Sequence, residues 1–453
     1  MTDPVDLLSS LIRFDTTNPP GNERACIEYL ESLLSGAGID TELYWKERER
    51  PNLVARLRGR AEAAPLLLYG HADVVSADER QWEHAPFDGR LVDGYVWGRG
   101  AIDMKGGLAM MTSALLRARE TGESPTGDVI LAVVSDEETG GTYGSQFLVD
   151  QHADVFAGVR HAISEVGGFP IRIAGRSIYG IEVTQKQSCV LRLKFRGRSR
   201  HGALALRGGA MARMAEAVTR IERTSLPVHI TPATEAMLDT AAAAVPFPAS
   251  ALLRMLKMPA LTDRALALMG NRAPVFNAMM RNTVTPTRAS GSDIPNVTPS
   301  EVCLDLDGRI LPGYGPDDLI RELRAVVGEG PEIEVLMHGE GPGEPDMSMF
   351  PLLEQALADG DRASAATPML MPGTSDARTF ARLGIQTYGF TPMNLPAELD
   401  FASMFHGENE RIPAASVRFG AEAINRVLRS YWSHASGEPR INRGPADPAR
   451  PAA

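Results

Sequence analysis

Hydrophobic and polar positions follow two different periods in the first third of the chain, and these predict helices and strands in alternation. "NERACIEYLESLLSGAG" has apolar residues at helical spacing and closes on glycine, so it predicts a helix. "NLVARLRG", "PLLLYGHADVV" and "DVILAVVSDEE" predict strands, the last two apolar enough for the centre of a sheet. "MKGGLAMMTSALLRARE" predicts a further helix. This alternation favours an α/β domain with a largely buried sheet.

The pattern changes near residue 182. "SCVLRLKFRGRSRHG" and "EVCLDLDGRILPG" alternate apolar and polar positions, as in a half-solvated sheet, and "GAMARMAEAVTRIER" and "PDDLIRELRAVVGEG" predict helices. The α/β pattern resumes with the strand "IQTYGFTP" and the helix "AASVRFGAEAINRVLRSYW". We therefore predict a main domain in two parts (1–181 and 315–434), an inserted domain (182–314) and a disordered Pro/Gly-rich tail (435–453).

An Ala/Met-rich segment at about 234–283 allows two interpretations. It is either a helical hairpin packed on the inserted domain or a hydrophobic cover for a binding site. Ordinary helical packing is the favoured interpretation.

Composition limits the class of protein. The chain has 453 residues, 43% hydrophobic and 23% charged, which fits a globular protein of two domains. A net charge of −11 argues against nucleic acid or an anionic membrane as partner. The three cysteines Cys26, Cys189 and Cys303 are too scattered for a disulfide framework. With no signal-peptide pattern and no spanning segment, we expect a cytoplasmic enzyme or binding protein.

Three acids in "VVSDEETGG" suggest a cation site. Asp136, Glu137 and Glu138 follow a buried-looking strand, where repulsion and desolvation disfavour every one of them. If Glu138 ligates a divalent cation, Glu137 is left free to take a proton from metal-bound water. A solvated acidic turn is the alternative, but it fits poorly after "VILAVV".

Other motifs offer matching ligands. In "YGHADVV" the strand period places His71 and Asp73 on one face, for a metal-bound imidazole oriented by a carboxylate or for a structural hydrogen bond. Asp103 stands in a glycine-bounded loop, as a ligand or as a helix N-cap. Glu165 ends the short strand in "HAISEVGG", and "MFHGENERIP" supplies His406.

These residues form a nitrogen and oxygen ligand set without sulfur: His71, Asp103, Glu138, Glu165 and His406. Five ligands exceed the four of one tetrahedral zinc and suit two metals that share a carboxylate. Two metals about 3.5–4 Å apart would polarise a carbonyl and lower the pKa of a bridging water, which predicts hydrolysis.

An ordered set of motifs then identifies a family resemblance, from "LIRFDTTNPPGNE" to about residue 430. The motifs are "GHADVV", "GRGAIDMKGG", "SDEETGG", "SEVGG", "RSRHG", "NVTPSEVCLDLDGRILPG", "GTSDAR" and "HGENERI". The chain resembles the M20 metallopeptidases, which include carboxypeptidases, dipeptidases, aminoacylases, acetylornithine deacetylase and succinyl-diaminopimelate desuccinylase. The resemblance implies a zinc-exopeptidase-like α/β catalytic domain with a mixed, largely parallel sheet flanked by helices. It also implies an inserted α+β domain for dimerisation or as a lid.

The resemblance also implies a metal arrangement. Asp103 would bridge two zinc ions, with Glu138 and His406 completing one site. His71 and Glu165 would complete the other, and cobalt or manganese could replace zinc.

Roles for neighbouring residues follow from the same resemblance. Glu137 would be the general base and later protonate the leaving amine, while Asp73 would support His71. His201 matches a lid histidine that reaches the partner's active site in dimeric members and steadies the oxyanion. Here the chain departs from the commoner pattern, because "ALALRGGA" replaces the proline and asparagine often seen after this histidine.

Substrate contacts are implied at five positions. Asn296 and Arg309 match lid positions, and Arg378 matches an arginine near a substrate loop around Gly373 and Thr374. The arginines suggest a substrate carboxylate, although either could be a structural ion-pair partner.

We therefore expect a dinuclear zinc hydrolase, working as a homodimer on a small peptide or an N-acyl amino acid. Exopeptidase or dipeptidase activity is the leading hypothesis, and N-acyl-amino-acid deacylation is the alternative. A non-catalytic binding protein of the same fold is a third hypothesis, disfavoured because every matched position is intact.

Overall fold

The structure is a computed structural model that describes residues 3–122, 125–204, 207–270, 273–361 and 365–434. The predicted tail at 435–453 lies outside the described residues. The strands are β1 (Asp40–Trp45), β2 (Pro51–Leu57), β3 (Leu66–His71), β4 (Arg90–Val92), β5 (Tyr95–Trp97), β6 (Val129–Val134), β7 (His161–Ser164), β8 (Phe169–Ile173), β9 (Arg176–Gln185), β10 (Gln187–Arg196), β11 (Arg200–His201), β12 (Thr283–Ser290), β13 (Val297–Thr298), β14 (Glu301–Ile310), β15 (Glu332–Gly339), β16 (Ala365–Met371), β17 (Gln386–Gly389) and β18 (Arg411–Pro413). The helices are α1 (Pro4–Ile12), α2 (Arg24–Gly36), α3 (Lys105–Glu120), α4 (Ser145–Gln151), α5 (Ala210–Arg223), α6 (Pro232–Ala244), α7 (Ala249–Leu256), α8 (Pro259–Met269), α9 (Ala273–Met279), α10 (Pro316–Val327), α11 (Phe350–Ala358), α12 (Ala377–Ala381) and α13 (Ala414–His434).

A nine-stranded mixed sheet forms the larger part of the fold. Its order is β1-β2-β6-β3-β7-β17-β9-β16, with β8 paired to β9. Pairing is parallel from β6 through β3 and β7 to β17, and again between β9 and β16. Every residue of β3 and β6 is buried, because helices cover both faces: α1, α2, α3 and α13 on one, α4 and α12 on the other. The predicted α/β fold with a mixed sheet between helices is confirmed.

A four-stranded antiparallel sheet forms a second unit, in the order β12-β14-β10-β15. Apolar residues of β10 and β14 pack against α5 and α10, which leaves the other face more polar. Strand β15 follows the predicted domain limit at residue 314 and pairs with β10. The domain limits themselves stay a prediction.

The Ala/Met-rich segment forms four helices, α6 to α9, rather than a hairpin. Their core includes Ile178 of β9 together with Met369 and Leu370 of β16. The helices therefore pack on the edge of the nine-stranded sheet, and the hairpin interpretation is wrong. No described helix combines the length and the apolar character needed to cross a membrane.

Candidate active site

Three strands of the larger sheet end at the same edge and deliver four of the predicted residues there. His71 closes β3, Glu137 and Glu138 lie three and four residues after the end of β6, and Glu165 follows β7 directly. Strand β3 pairs in parallel with both β6 and β7, so the carboxyl ends of all three lie side by side. Parallel pairing is thus what brings residues distant in sequence to one place.

The five predicted ligands, His71, Asp103, Glu138, Glu165 and His406, form one group, here called the five-residue cluster. His71 Nε2 lies 3.1 Å from Asp103 Oδ1 and 3.3 Å from Glu165 Oε2. His406 Nε2 lies 3.2 Å from Asp103 Oδ2 and 3.2 Å from Glu138 Oε2. The two oxygens of Asp103 therefore face two different imidazoles. Helix α3 has no side-chain N-cap hydrogen bond, so Asp103 does not serve as its cap.

Burial and close spacing of the acids shift pKa values in the five-residue cluster and at the neighbouring Glu137. Burial raises the pKa of Glu165 to about 7. Burial also raises the pKa of Glu137 well above its ordinary value, and the nearby charge of Glu165 adds to this effect. Hydrogen bonds to Asp103 and then to Glu138 raise the pKa of His406 to about 10. Negative charge gathered out of water in this way calls for compensation by protons or by a cation.

The donor atoms fit a divalent metal. The ligand atoms of His71, Asp103 and Glu138 lie within 4.8 Å of one another, as do those of His71, Glu137 and Glu165. Among the residues that the structure describes, Glu138 Oε1 is buried and has no hydrogen-bond partner. Imidazole nitrogen with carboxylate oxygen is a donor set that suits zinc, cobalt or manganese.

Asp73 contacts both His71 and the backbone of the loop that carries Glu137 and Glu138. Its backbone carbonyl lies 2.9 Å from His71 Nδ1, whereas its carboxylate Oδ1 lies 3.4 Å from the same nitrogen. If Nδ1–H donates to that carbonyl, the Nε2 lone pair is free for a metal. The carboxylate accepts hydrogen bonds from the backbone N–H groups of Glu137 and Glu138, both at 3.1 Å. Asp73 thus positions the acidic loop as well as the imidazole.

Glu410 is a functional residue that the sequence reasoning missed. It is fully buried and accepts backbone hydrogen bonds from Gly100 (3.0 Å), Ile102 (2.6 Å) and Asp103 (3.1 Å). Arg99 Nη1 donates to it at 2.8 Å. Glu410 therefore holds the loop of Asp103. Its position in "GENERI", beside His406, was the available signal.

Asn18 and Arg50 were missed as well. Asn18 Nδ2 donates to Asp73 Oδ2 at 2.8 Å, and Arg50 Nη1 lies 3.1 Å from Asp136 Oδ1. Asp136 is buried and hydrogen-bonded, so it is not an exposed member of the three acids. Nothing local to Arg50 in the sequence marks it as the partner of an acid so far along the chain.

His201 and Asn296 lie close to each other at the short β11–β13 pair. His201 is exposed in β11, which pairs with β13, and the Gly202 N–H donates to the Asn296 carbonyl at 2.7 Å. In the described part of the chain, neither residue hydrogen-bonds to the five-residue cluster.

Arg309 connects the smaller sheet with the predicted substrate loop. Its Nη1 donates to Thr374 Oγ1 at 3.3 Å, and its Nε lies 3.1 Å from Asp307 Oδ1. Gly373 precedes Thr374 in that loop. Arg378, at the start of α12, lies against β15, since a Cβ on Gly339 would be 3.3 Å from Arg378 Nη1. Both arginines thus stand where the two sheets meet.

Known proteins of one family resemble this chain over most of its length. The family model described as "Peptidase family M20/M25/M40" matches residues 67–430. The chain belongs to this family. A succinyl-diaminopimelate desuccinylase of Paracoccus denitrificans is 27% identical over 444 residues, which are 95% of this chain and 99% of that protein. A human N-fatty-acyl-amino acid synthase/hydrolase is 28% identical over 378 residues, 81% of this chain and 74% of the relative.

Solved structures share the fold of this M20 family member. The M20 metallo-carboxypeptidase Sso-CP2 from Sulfolobus solfataricus has a TM-score of 0.67 at 17% identity, covering 95% of this chain and 99% of that one. Human carnosine dipeptidase 1 has a TM-score of 0.66 at 14% identity, covering 95% and 96%. The chain is a hydrolytic enzyme that acts on amide bonds.

Proposed function

We propose that this M20 hydrolase uses two divalent metal ions, with zinc as the expected metal. It would release an amino acid from a small peptide by cleaving the amide next to a substrate carboxylate. One observation carries the proposal: the two oxygens of Asp103 face two different imidazoles, those of His71 and His406. Glu165 lies beside His71, and Glu138 lies beside His406. Asp103 would accordingly be shared by the metals, with a histidine and a glutamate completing each site. Bound there, the ions would polarise the carbonyl and lower the pKa of water towards about 7.

Glu137 supplies the proton transfers in this proposal. It is next to a proposed ligand and within ligand distance of His71 and Glu165, but it is not required to complete either metal site. Its carboxylate takes a proton from the attacking water and then delivers that proton to the leaving amine. Asp73 holds the Glu137 backbone during both transfers.

Arg309, Arg378, Gly373 and Thr374 would bind the substrate carboxylate. The contact between Arg309 and Thr374 supports this, because it places a guanidinium beside the loop of Gly373. The contact of Arg309 with Asp307 keeps the structural alternative open. His201 would reach the site of a second subunit in a homodimer and steady the oxyanion. Asn296 would contact the substrate from the lid. The cytoplasmic location stays a prediction.

Deacylation of N-acyl amino acids is the second candidate function. The desuccinylase of Paracoccus denitrificans, whose match covers nearly all of both chains, supports it. The same metal centre and the same base would serve, since an N-acyl bond is also an amide.

A substrate panel separates the two candidates. Protein reconstituted with zinc, cobalt or manganese is assayed on dipeptides and on N-acetyl, N-succinyl and longer N-acyl amino acids. We expect the highest kcat/KM on a dipeptide with a free carboxylate. Preference for one acyl class would establish the deacylase instead, and turnover of no member by metal-loaded protein would overturn both.

The Glu137→Gln variant tests the base. We expect turnover to fall by a factor of at least about 10² with metal content near that of the wild type, because general base catalysis contributes about 10²–10⁴. Glu354→Gln, an exposed glutamate on α11, is the matched control. Substantial residual activity in Glu137→Gln would refute its assigned role.

A further inference from the structure

The loop at 372–376 connects β16 with α12 and is tied to two other parts of the molecule. It carries Gly373 and Thr374, the proposed contacts of the substrate carboxylate, and both of these residues are half-buried. Its last two residues, Ser375 and Asp376, are buried. Each of these two makes a side-chain contact with a different element.

Ser375 is held by Gln185, the last residue of β9. Gln185 Oε1 accepts from the Ser375 backbone N–H at 2.7 Å and from Ser375 Oγ at 3.1 Å. Gln185 Nε2 donates to the Ser375 carbonyl at 3.3 Å. The next residue, Lys186, donates its backbone N–H to the Met371 carbonyl at 3.0 Å before the chain enters β10. The loop is therefore fastened where the chain passes from the larger sheet to the smaller one.

Asp376 is held against the loop that bears Glu137. Its Oδ1 accepts from Ser145 Oγ at 2.5 Å, and Ser145 is the first residue of α4. A Cβ on Gly141 would lie 3.0 Å from Asp376 Oδ1 and 2.7 Å from Ser145 Oγ. Gly141 has a φ of +77°, so this close approach uses a backbone conformation that favours glycine. The carboxylate is thus in packing contact with the backbone of the acidic loop.

Hydrogen bonds connect Gly141 with Asp136, the residue before Glu137. The Gly141 N–H donates to the Asp136 carbonyl at 2.7 Å, and the Tyr143 N–H donates to Asp136 Oδ2 at 3.1 Å. The Gln146 N–H, in α4, donates to the Gly141 carbonyl at 3.0 Å. Asp136 immediately precedes Glu137, so Gln146, Gly141 and Asp136 form one hydrogen-bonded unit beside the base. Ser145, next to Gln146 in α4, joins Asp376 to this unit.

Asp376 is also only half satisfied. Its Oδ2 is buried without a hydrogen-bond partner in the described chain. A buried carboxylate with an unpaired oxygen costs stability, and an apolar side chain would avoid that cost. The contacts of Asp376 with the loop beside Glu137 therefore explain its presence better than a contribution to stability does.

We propose that Asp376 is a positioning residue that sets the place of Glu137 relative to the substrate-carboxylate loop. It acts through Ser145 and Gly141 and does not touch substrate. This inference rests on the proposed function for the base role of Glu137. It predicts that one side chain, that of Asp376, fixes the distance between the loop that binds the substrate carboxylate and the proton acceptor Glu137.

Kinetics of Asp376→Ala and Asp376→Asn provide the first test. In Asp376→Ala we expect kcat to fall about 10- to 100-fold, with KM within about 2-fold and metal content unchanged, because small misplacement of a reacting group can cost about 10² in rate. Asp376→Asn keeps an oxygen that can accept from Ser145 Oγ, so it should recover most of kcat. Asp359→Ala, at the exposed end of α11, is the matched control.

Ser145→Ala removes the same hydrogen bond from the other side and should lower kcat in the same way, which covers the case in which Asp376→Ala folds poorly. An unchanged kcat in folded, metal-loaded Asp376→Ala and Ser145→Ala would overturn the proposal. So would a change confined to KM, since that would place Asp376 in substrate binding, or loss of metal in both variants.

Hydrogen exchange separates this inference from the proposed function. Deuterium uptake of a peptide covering residues 136–144 should rise in Asp376→Ala and stay near wild type in Asp376→Asn and Asp359→Ala. Equal uptake in all four proteins would overturn the positioning role, whatever the panel shows. Greater uptake with no turnover by the wild type would support the contact and reject the base role of Glu137.

Discussion

At the scale of single residues, burial decides which ionisable groups are costly. Lys186 is completely buried where β9 passes into β10, and its ammonium donates to Thr283 Oγ1 at 3.2 Å. Burial, assisted by the charge of Arg309 and opposed by that of Asp307, lowers the pKa of Lys186 from 10.5 to about 7. This lysine therefore makes a pH-dependent contribution to stability.

The sign of that contribution leads to a prediction for Lys186→Met. Between pH 7 and about 10.5 the unfolded chain binds a proton at this lysine that the folded chain does not, so stability rises with pH. We expect the variant to be more stable than the wild type at pH 7, by on the order of 1–4 kcal/mol, with a smaller advantage at pH 9.5. Urea unfolding at the two pH values measures the difference.

Lys46→Met, at an exposed position, is the control for Lys186→Met and should give the same difference from wild type at both pH values. If the advantage of Lys186→Met did not shrink at the higher pH, the lowered pKa would be wrong.

At the scale of elements, the proposed metal ligands lie at the ends of strands and in loops, and buried polar contacts hold those loops. Asp73 fixes the turn after β6 through two backbone N–H groups, and Asn18 fixes Asp73. Glu410 fixes the loop before α3 through three backbone N–H groups and pairs with Arg99. The geometry of the proposed ligands therefore depends on residues outside the five-residue cluster.

Glu410→Gln should weaken both the fold and the metal site. The amide replaces one acceptor oxygen with a donor, which then faces backbone N–H groups, and the buried Arg99 loses its counter-charge. We expect a loss of about 3–5 kcal/mol in the free energy of unfolding and lower metal content. Denaturant unfolding and metal analysis measure the two effects.

Glu408→Gln lies two residues away at an exposed position and should leave stability and metal content unchanged. Equal stability of Glu410→Gln and wild type would contradict the structural role of Glu410.

At the scale of the whole molecule, the five-residue cluster joins segments from His71 to His406. A metal held there binds the folded chain and not the unfolded one, so it should stabilise the fold. At a free metal concentration 100 times Kd the gain is about 2.7 kcal/mol.

Thermal unfolding with zinc and with a chelator tests this stabilisation. The midpoint should be higher with zinc, and His406→Ala should lose most of the increase. His201→Ala, which removes an exposed histidine outside the cluster, should keep it. Identical midpoints of the wild type with zinc and with chelator would contradict a metal site at the cluster.

The sequence predicted much of the fold from local patterns, and it predicted the clustering of the site residues from their places after apolar strands and from the family resemblance. Continuous apolar runs identified β3 and β6, and acids directly after such runs pointed to the sheet edge. Glu410 was missed because its four partners come from residues 99–103, and its place near His406 does not reveal which distant loop it contacts. The four helices α6 to α9 were misplaced because an apolar helix face does not identify the surface it covers.

By itself, the sequence determined the alternation of helices and strands, the candidate ligands and the resemblance to the M20 family. Only the tertiary structure decided that Asp103 faces two imidazoles, that Asp73 and Glu410 hold the ligand loops, and that Asp376 contacts the loop of Glu137. The physical reason is that periodicity and residue type act over a few positions. Hydrogen bonds among buried groups, in contrast, depend on which distant segments the folded sheet brings together.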